Sequence, residues 1–174
     1  EADVIALFDA ATEGGGTLDL AIYNAGNNTP GKIAEMEADY FESAWRIGLF
    51  GAFLFGREAA RRMADSGGTL LFTGASSSMR GRAGFGAFTA AKGGLRNLAQ
   101  AMAKECGPDG LHVGHVVVDG GINGDRLRER FPDRVKEMGA ERLVDLEAGV
   151  AEGGRGAGGA PILGGCGAGV HDSL

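Results

Sequence analysis

Three short apolar runs, each closed by a turn and separated from the next by a long helical period, constrain the fold of this chain most. They are LDLAIYNAG (18–26), GGTLLFTGA (67–75) and LHVGHVVV (111–118). Short apolar runs bounded by Gly, Asn and Asp read as strands. Between them, residues 38–64 repeat apolar side chains at Phe41, Trp45, Leu49, Phe53, Ala60 and Met63. Residues 85–106 do the same at Phe85, Phe88, Ala91, Leu95, Leu98 and Met102. These spacings place one stripe along each of two long helices. A shorter face at Val4, Ile5, Phe8 and Ala11 predicts a helix over 2–12, stopped by EGGG (13–16). Strands separated by helices of that length are joined by crossovers, so they run parallel with right-handed connections. The expected fold class is α/β, a parallel sheet with helices on both faces. Three parallel strands are few, and such a sheet leaves an edge bare.

A chain of 174 residues is long enough for one domain with a real core. Its net charge of −6 argues against a nucleic-acid or anionic-membrane surface, which needs clustered Lys and Arg. The most apolar run, IGLFGAFLFG (47–56), is shorter than the roughly 20 residues of a membrane span. The N-terminus shows no basic segment followed by an apolar one. Cys106 and Cys166 make no disulfide framework. The expectation is a soluble cytoplasmic protein. Residues 47–55 are apolar nearly all round, and such a helix wants burial on two sides. The helices over 38–64 and 85–106 are therefore expected to form a homo-oligomer contact.

The ends are less regular. EADVIALFDAA (1–11) reads as a helix already under way, and the chain is expected to continue upstream. Residues 125–151 are charged and helical, with a break at Pro132. They read as a solvated face or part of a mobile substrate lid. From Gly153 onward 9 of 22 residues are glycine, with no apolar period that would pack a core. Residues 1–151 are read as one domain and 152–174 as a tail, either disordered or an out-of-frame read of a GC-rich gene.

In parallel α/β sheets ligands sit beyond the C-terminal strand ends. Here those ends are Asn24–Gly26, Thr73–Ala75 and Asp119–Ile122, all small, polar and turn-forming. The helix after the second strand holds AGFGAFTAAKGGL (83–95). Lys92 is its one charge between Arg82 and Arg96, one turn after Phe88. Other chemistry is weaker. GASSS (74–78) lacks the G-x-S-x-G pattern of a nucleophile elbow and is followed by a loop. His112 and His115, three apart on a strand, point to opposite faces and cannot share a metal. No metal site is expected, and Cys106 reads as a packing residue.

YNAG after a strand, a long helix, LLFTGAS after the next strand, F-x-x-x-K on a helix and HVVVDGGI, in that order, resemble the short-chain dehydrogenase/reductase family. The likeness covers about residues 1–151, the middle and later part of that fold. It implies a partial Rossmann-like, doubly wound parallel sheet whose first half precedes Glu1. It implies NAD or NADP as cofactor, with hydride passing between nicotinamide and a small-molecule alcohol or ketone. By resemblance, Asn24, Ala25 and Gly26 form the turn against the cofactor. Thr73, Asp119, Gly120 and Ile122 are cofactor-binding, and Lys92 binds the ribose hydroxyls and lowers the pKa of the catalytic tyrosine.

The departures are specific. Phe88 stands at the tyrosine position and Ala75 at the serine position, with Ser76, Ser77 or Ser78 the nearest replacement hydroxyls. Gly48 stands where the helix asparagine belongs, and Asp119–Gly120 replaces the usual Pro-Gly. Of the four-residue catalytic set only Lys92 remains. The phosphate loop T-G-x-x-x-G-x-G is expected upstream of Glu1. EGGGTLD (13–19) is no substitute, because it enters a strand instead of opening a helix. The expected function is an NAD(P)-dependent oxidoreductase. The alternatives are a non-catalytic nucleotide-binding or scaffold pseudoenzyme, and an inactive fragment.

Overall fold

The computed structural model describes residues 1–119 and, beyond them, 121–122, 124–130, 132–138, 143–144 and 169–170. The chain divides into two compact units, Glu1–Val117 with Gly169–Leu174, and Val118–Ala168.

In the first unit α1 (Ala2–Ala11) leads to β1 (Leu20–Tyr23). Then come α2 (Ala38–Trp45), α3 (Gly51–Met63), β2 (Gly68–Ala75), α4 (Gly86–Cys106) and β3 (Leu111–Val118). The strands lie in sequence order and the three are parallel. Between β1 and β2 the register runs from Leu20 opposite Thr69 to Tyr23 opposite Phe72. Alternation along a strand therefore puts Ala21, Leu70 and Phe72 on one face. That face carries the core: Phe8 of α1, Ala52, Ala59 and Met63 of α3, Leu95, Ala99 and Met102 of α4, and Leu111 of β3. The expected stripe of α4 enters at Ala91, Leu95 and Met102, but in α2–α3 the small-residue side (Ala44, Gly48, Ala52, Gly56, Ala59) is buried and of the expected stripe Phe41, Trp45 and Phe53 stay exposed. After α4, a 3-10 turn (Gly107–Asp109) ends at Gly110, whose φ of 88° is the left-handed conformation that turns the chain into β3.

Three features differ from the sequence expectation. The first is the long helix over 38–64, which is continuous but not uniform. A π-helical segment (Arg46–Phe50) joins α2 to α3. An inserted residue there turns the Ile47 carbonyl aside, and the Tyr23 hydroxyl of β1 donates to it at 2.5 Å. Gly51 makes this contact feasible, since a Cβ there would stand 2.5 Å from that hydroxyl oxygen. The second concerns β1, expected as a buried strand between two helical layers. Helices α1, α3 and α4 share one core on one face, and on the other Leu20 is 52% and Ile22 51% exposed. The third is in the glycine-rich tail, where β6 (Gly169–Val170) pairs antiparallel with Val116–Val117. The rest of 152–174 lies outside the described residues.

The second unit has β4 (Gly121–Ile122) parallel to β5 (Leu143–Val144), with α5 (Asp125–Arg130) and α6 (Pro132–Met138) between them. The expected break falls at Pro132, which opens α6, where a missing N–H costs nothing. Among the described residues no helix is long and apolar enough to cross a membrane. The aromatic stripe of α2–α3 is open in the single chain, with Phe41, Trp45, Ile47 and Phe53 near 40% exposed.

Candidate functional site

The site is built around one buried charge. Lys92 lies on the sheet-facing side of α4 with Ala91, Leu95 and Ala99, and is 5% exposed. Its Nζ donates to the carbonyl oxygen of Thr73, near the C-terminal end of β2, at 2.6 Å. A Cβ on Gly26, just beyond β1, would stand 3.4 Å from the same nitrogen. The ammonium is thus held beside both strand ends, with a backbone carbonyl as its hydrogen-bond acceptor. Burial lowers its pKa to about 8, because desolvation disfavours the charged form. The Phe88 ring centroid lies 5.9 Å from Nζ. Phe88 supplies an aromatic face and no proton.

The Ala75 amide donates to Ser78 Oγ at 3.1 Å, closing the 3-10 turn Ser76–Ser78 that follows β2. Ser78 therefore serves the turn. Ser77 and Ser78 are both buried. Below them, His115 of β3 is 3% exposed, while His112 points outward. This is the opposite-face arrangement that their spacing predicts. A Cβ on Gly74 would meet His115 Nε2 at 2.2 Å, so glycine there is what lets the imidazole lie against β2.

Gly48 is buried in the π segment, and a Cβ there would stand 2.7 Å from the Ala91 Cβ. A side chain at Gly48 needs α4 to move. Gly48→Ala is expected to cost about 1–3 kcal/mol by overpacking, read as a lower urea midpoint at unchanged slope. An unchanged midpoint would show that the helix contact is loose.

The structure brings together Gly26, Thr73, Phe88 and Lys92. Asn24 and Ala25 lie on the exposed loop after β1, and Ala75 begins the serine turn. Asp119 and Ile122 belong to the second unit, and Gly120 lies outside the described residues. Sequence reading missed Tyr23. Its signal was Gly51, a glycine inside an apolar helix, which marks a close approach by another group.

Comparison with known proteins gives the family of the chain. Residues 1–142 match the family described as Enoyl-(Acyl carrier protein) reductase. The uncharacterized oxidoreductase YxbG of Bacillus subtilis is 34% identical over 145 residues, 81% of this chain and 52% of that protein. The cyclic-di-GMP-binding biofilm dispersal mediator protein of Escherichia coli is 31% identical over 133 residues, 76% of this chain and 55% of that protein. A short-chain dehydrogenase from Rhodopseudomonas palustris superposes with a TM-score of 0.64 at 38% identity, over 71% of this chain and 57% of that one. The chain belongs to the short-chain dehydrogenase/reductase family, a family of oxidoreductases with a Rossmann-type sheet. It spans about half the length of the curated relatives it matches.

Proposed function

We propose that this chain forms the catalytic-helix half of a nicotinamide-dependent oxidoreductase acting on a small alcohol or ketone. The observation that carries the reading is Lys92, a buried ammonium held beside two strand ends by one backbone carbonyl. Burying a cation is costly unless it serves a partner. A ribose diol fits this one: the ammonium carries three donors, of which Thr73 O takes one. The absence of a side chain at Gly26 leaves the approach clear. Gly26, Thr73 and Lys92 would hold the ribose end of NAD or NADP, and Asn24 and Ala25 would line the same turn. Asp119, Gly120 and Ile122 are proposed as cofactor-binding on the family resemblance alone. A bound nicotinamide would supply or accept the hydride. Lys92 would orient the ribose and add positive charge near the carbonyl, while Phe88 packs beside it and Ala75 offers no hydroxyl.

Titration with NADH and NADPH, followed by nicotinamide fluorescence, tests this. Binding of at least one is expected, weakened about tenfold or more in Lys92→Met. No binding of either, or equal binding by the variant, would sink the reading. Sedimentation of the same sample tests the open aromatic stripe of α2–α3 as a contact between copies.

A second reading is favoured by Phe88 itself. Without a phenol the site would bind nucleotide and turn nothing over. Binding without reduction of any ketone in a panel would select it.

A further inference from the structure

We propose that Arg80 and Arg82, on the loop leading into α4, receive an anionic group, carboxylate or phosphate, carried by the substrate. The inference rests on the oxidoreductase reading above and names the substrate class of that site.

The loop is fixed in place. The Gly31 amide donates to Gly84 O at 2.7 Å, and Gly31 pairs as a parallel bridge with Phe85. Ile33 packs where a side chain on Gly86 would otherwise be, its Cδ1 lying 2.2 Å from the place of that Cβ. The Phe85 amide donates to Arg82 O at 3.1 Å, and the Arg82 guanidinium sits 4.7 Å from the Phe85 ring centroid. An arginine stacked on a ring keeps its in-plane N–H fork free to meet a planar or tetrahedral anion. Phe88 is one helical turn further along. Arg82 is therefore held at the start of the helix that carries Phe88 and Lys92.

Charge pairing among the described residues leaves these two without a carboxylate. Lys32, Arg46, Arg57, Arg61 and Arg62 each have a carboxylate partner. Arg80 and Arg82, both exposed, make no ion pair with any described residue, as is also true of Arg96 and Lys104 on α4, in a chain of net charge −6. These two guanidiniums, separated only by Gly81, follow exposed Met79 in the chain, and exposed Ile33 packs at Gly86, where α4 begins. That combination suits a molecule with an apolar body and one anionic end. In water an isolated surface charge contributes little. A bidentate, charge-assisted pair at a fixed guanidinium contributes more, on the scale of tenfold in affinity.

The test compares levulinate with its methyl ester, and dihydroxyacetone phosphate with dihydroxyacetone, at constant ionic strength with NADH or NADPH. The wild-type chain is expected to prefer at least one anionic member by about tenfold in kcat/KM. Arg80→Gln/Arg82→Gln should collapse that ratio toward one, and Arg82→Lys should restore part of it. The levulinate and phosphate arms separate the two anion sources. Equal rates for acid and neutral partner, or a preference that survives the double variant, would overturn the proposal. If no ketone is reduced at all, the oxidoreductase reading fails separately. The anion site is then decided by calorimetry with levulinate and inorganic phosphate. Binding lost in the double variant would support it, and the absence of binding to wild type would overturn it. Circular dichroism of both variants checks that they fold as wild type does.

Discussion

Phe88→Tyr is expected to raise the rate of ketone reduction about 10²–10⁴-fold, the usual contribution of a positioned general acid. The ring already lies 5.9 Å, centroid to nitrogen, from the Lys92 ammonium. A hydroxyl added to it would feel that positive charge, which favours the phenolate and lowers the phenol pKa. In the reductive direction the phenol would donate its proton to the carbonyl oxygen as hydride reaches the carbon. Water would then restore the proton. Steady-state rates of the two proteins, with matched cofactor binding, measure the effect. A gain shows that the remaining site is assembled and that Phe88 alone limits turnover. Unchanged rates with intact cofactor binding would show that the ring is aimed away from the substrate, and would favour the binding-only reading.

Lys92→Met is expected to weaken cofactor binding about tenfold or more and to stabilise the fold at neutral pH. In the unfolded chain this lysine titrates near 10.5, and in the folded chain at about 8. Below pH 8 it is charged in both states, and the whole cost of burying the ammonium weighs on the native state. Between 8 and 10.5 the unfolded chain holds the extra proton, so wild-type stability rises with pH across that window. The shift corresponds to about 3 kcal/mol. Leaving the Thr73 carbonyl without its donor returns about 1 kcal/mol of this. The variant should therefore be about 2 kcal/mol more stable at pH 7, and that advantage should be gone by pH 10.5. Urea unfolding of both proteins at the two pH values reads this directly. A variant that is less stable at both would mean that the ammonium is solvated or compensated in the native protein. A residue that weakens its own fold at working pH is one retained for another purpose, and that is the physical link between the two predictions.

Much of the local layout of the candidate site was legible in the sequence. The F-x-x-x-K spacing put Phe88 and Lys92 one turn apart on a helix, and the small residues after each apolar run marked the strand ends. Two things were not. Sequence gave no sign that Ser78 closes the turn after β2 in place of serving a substrate, because both roles need only a hydroxyl near Ala75. Nor did it show the π segment, because an inserted helical residue leaves the apolar period nearly intact. The bulge was visible only once Tyr23, 24 residues upstream of Ile47, was seen to take the released carbonyl.

Local pattern by itself determined that strands alternate with helices and that the strands are parallel, whereas the face of α2–α3 that enters the core was not the aromatic stripe it marked. Alternation and parallel direction follow from backbone periodicity and the length of the connections, which act over a few residues at a time. Tertiary structure alone decided that Gly26 and Thr73 meet at Lys92, and that this ammonium is desolvated. It also decided that Gly48 is closed by Ala91 and that Arg82 is held over Phe85. Each of these depends on side chains from separate elements arriving within a few ångströms of one another. Desolvation and pairing are properties of that meeting, and no single segment encodes them.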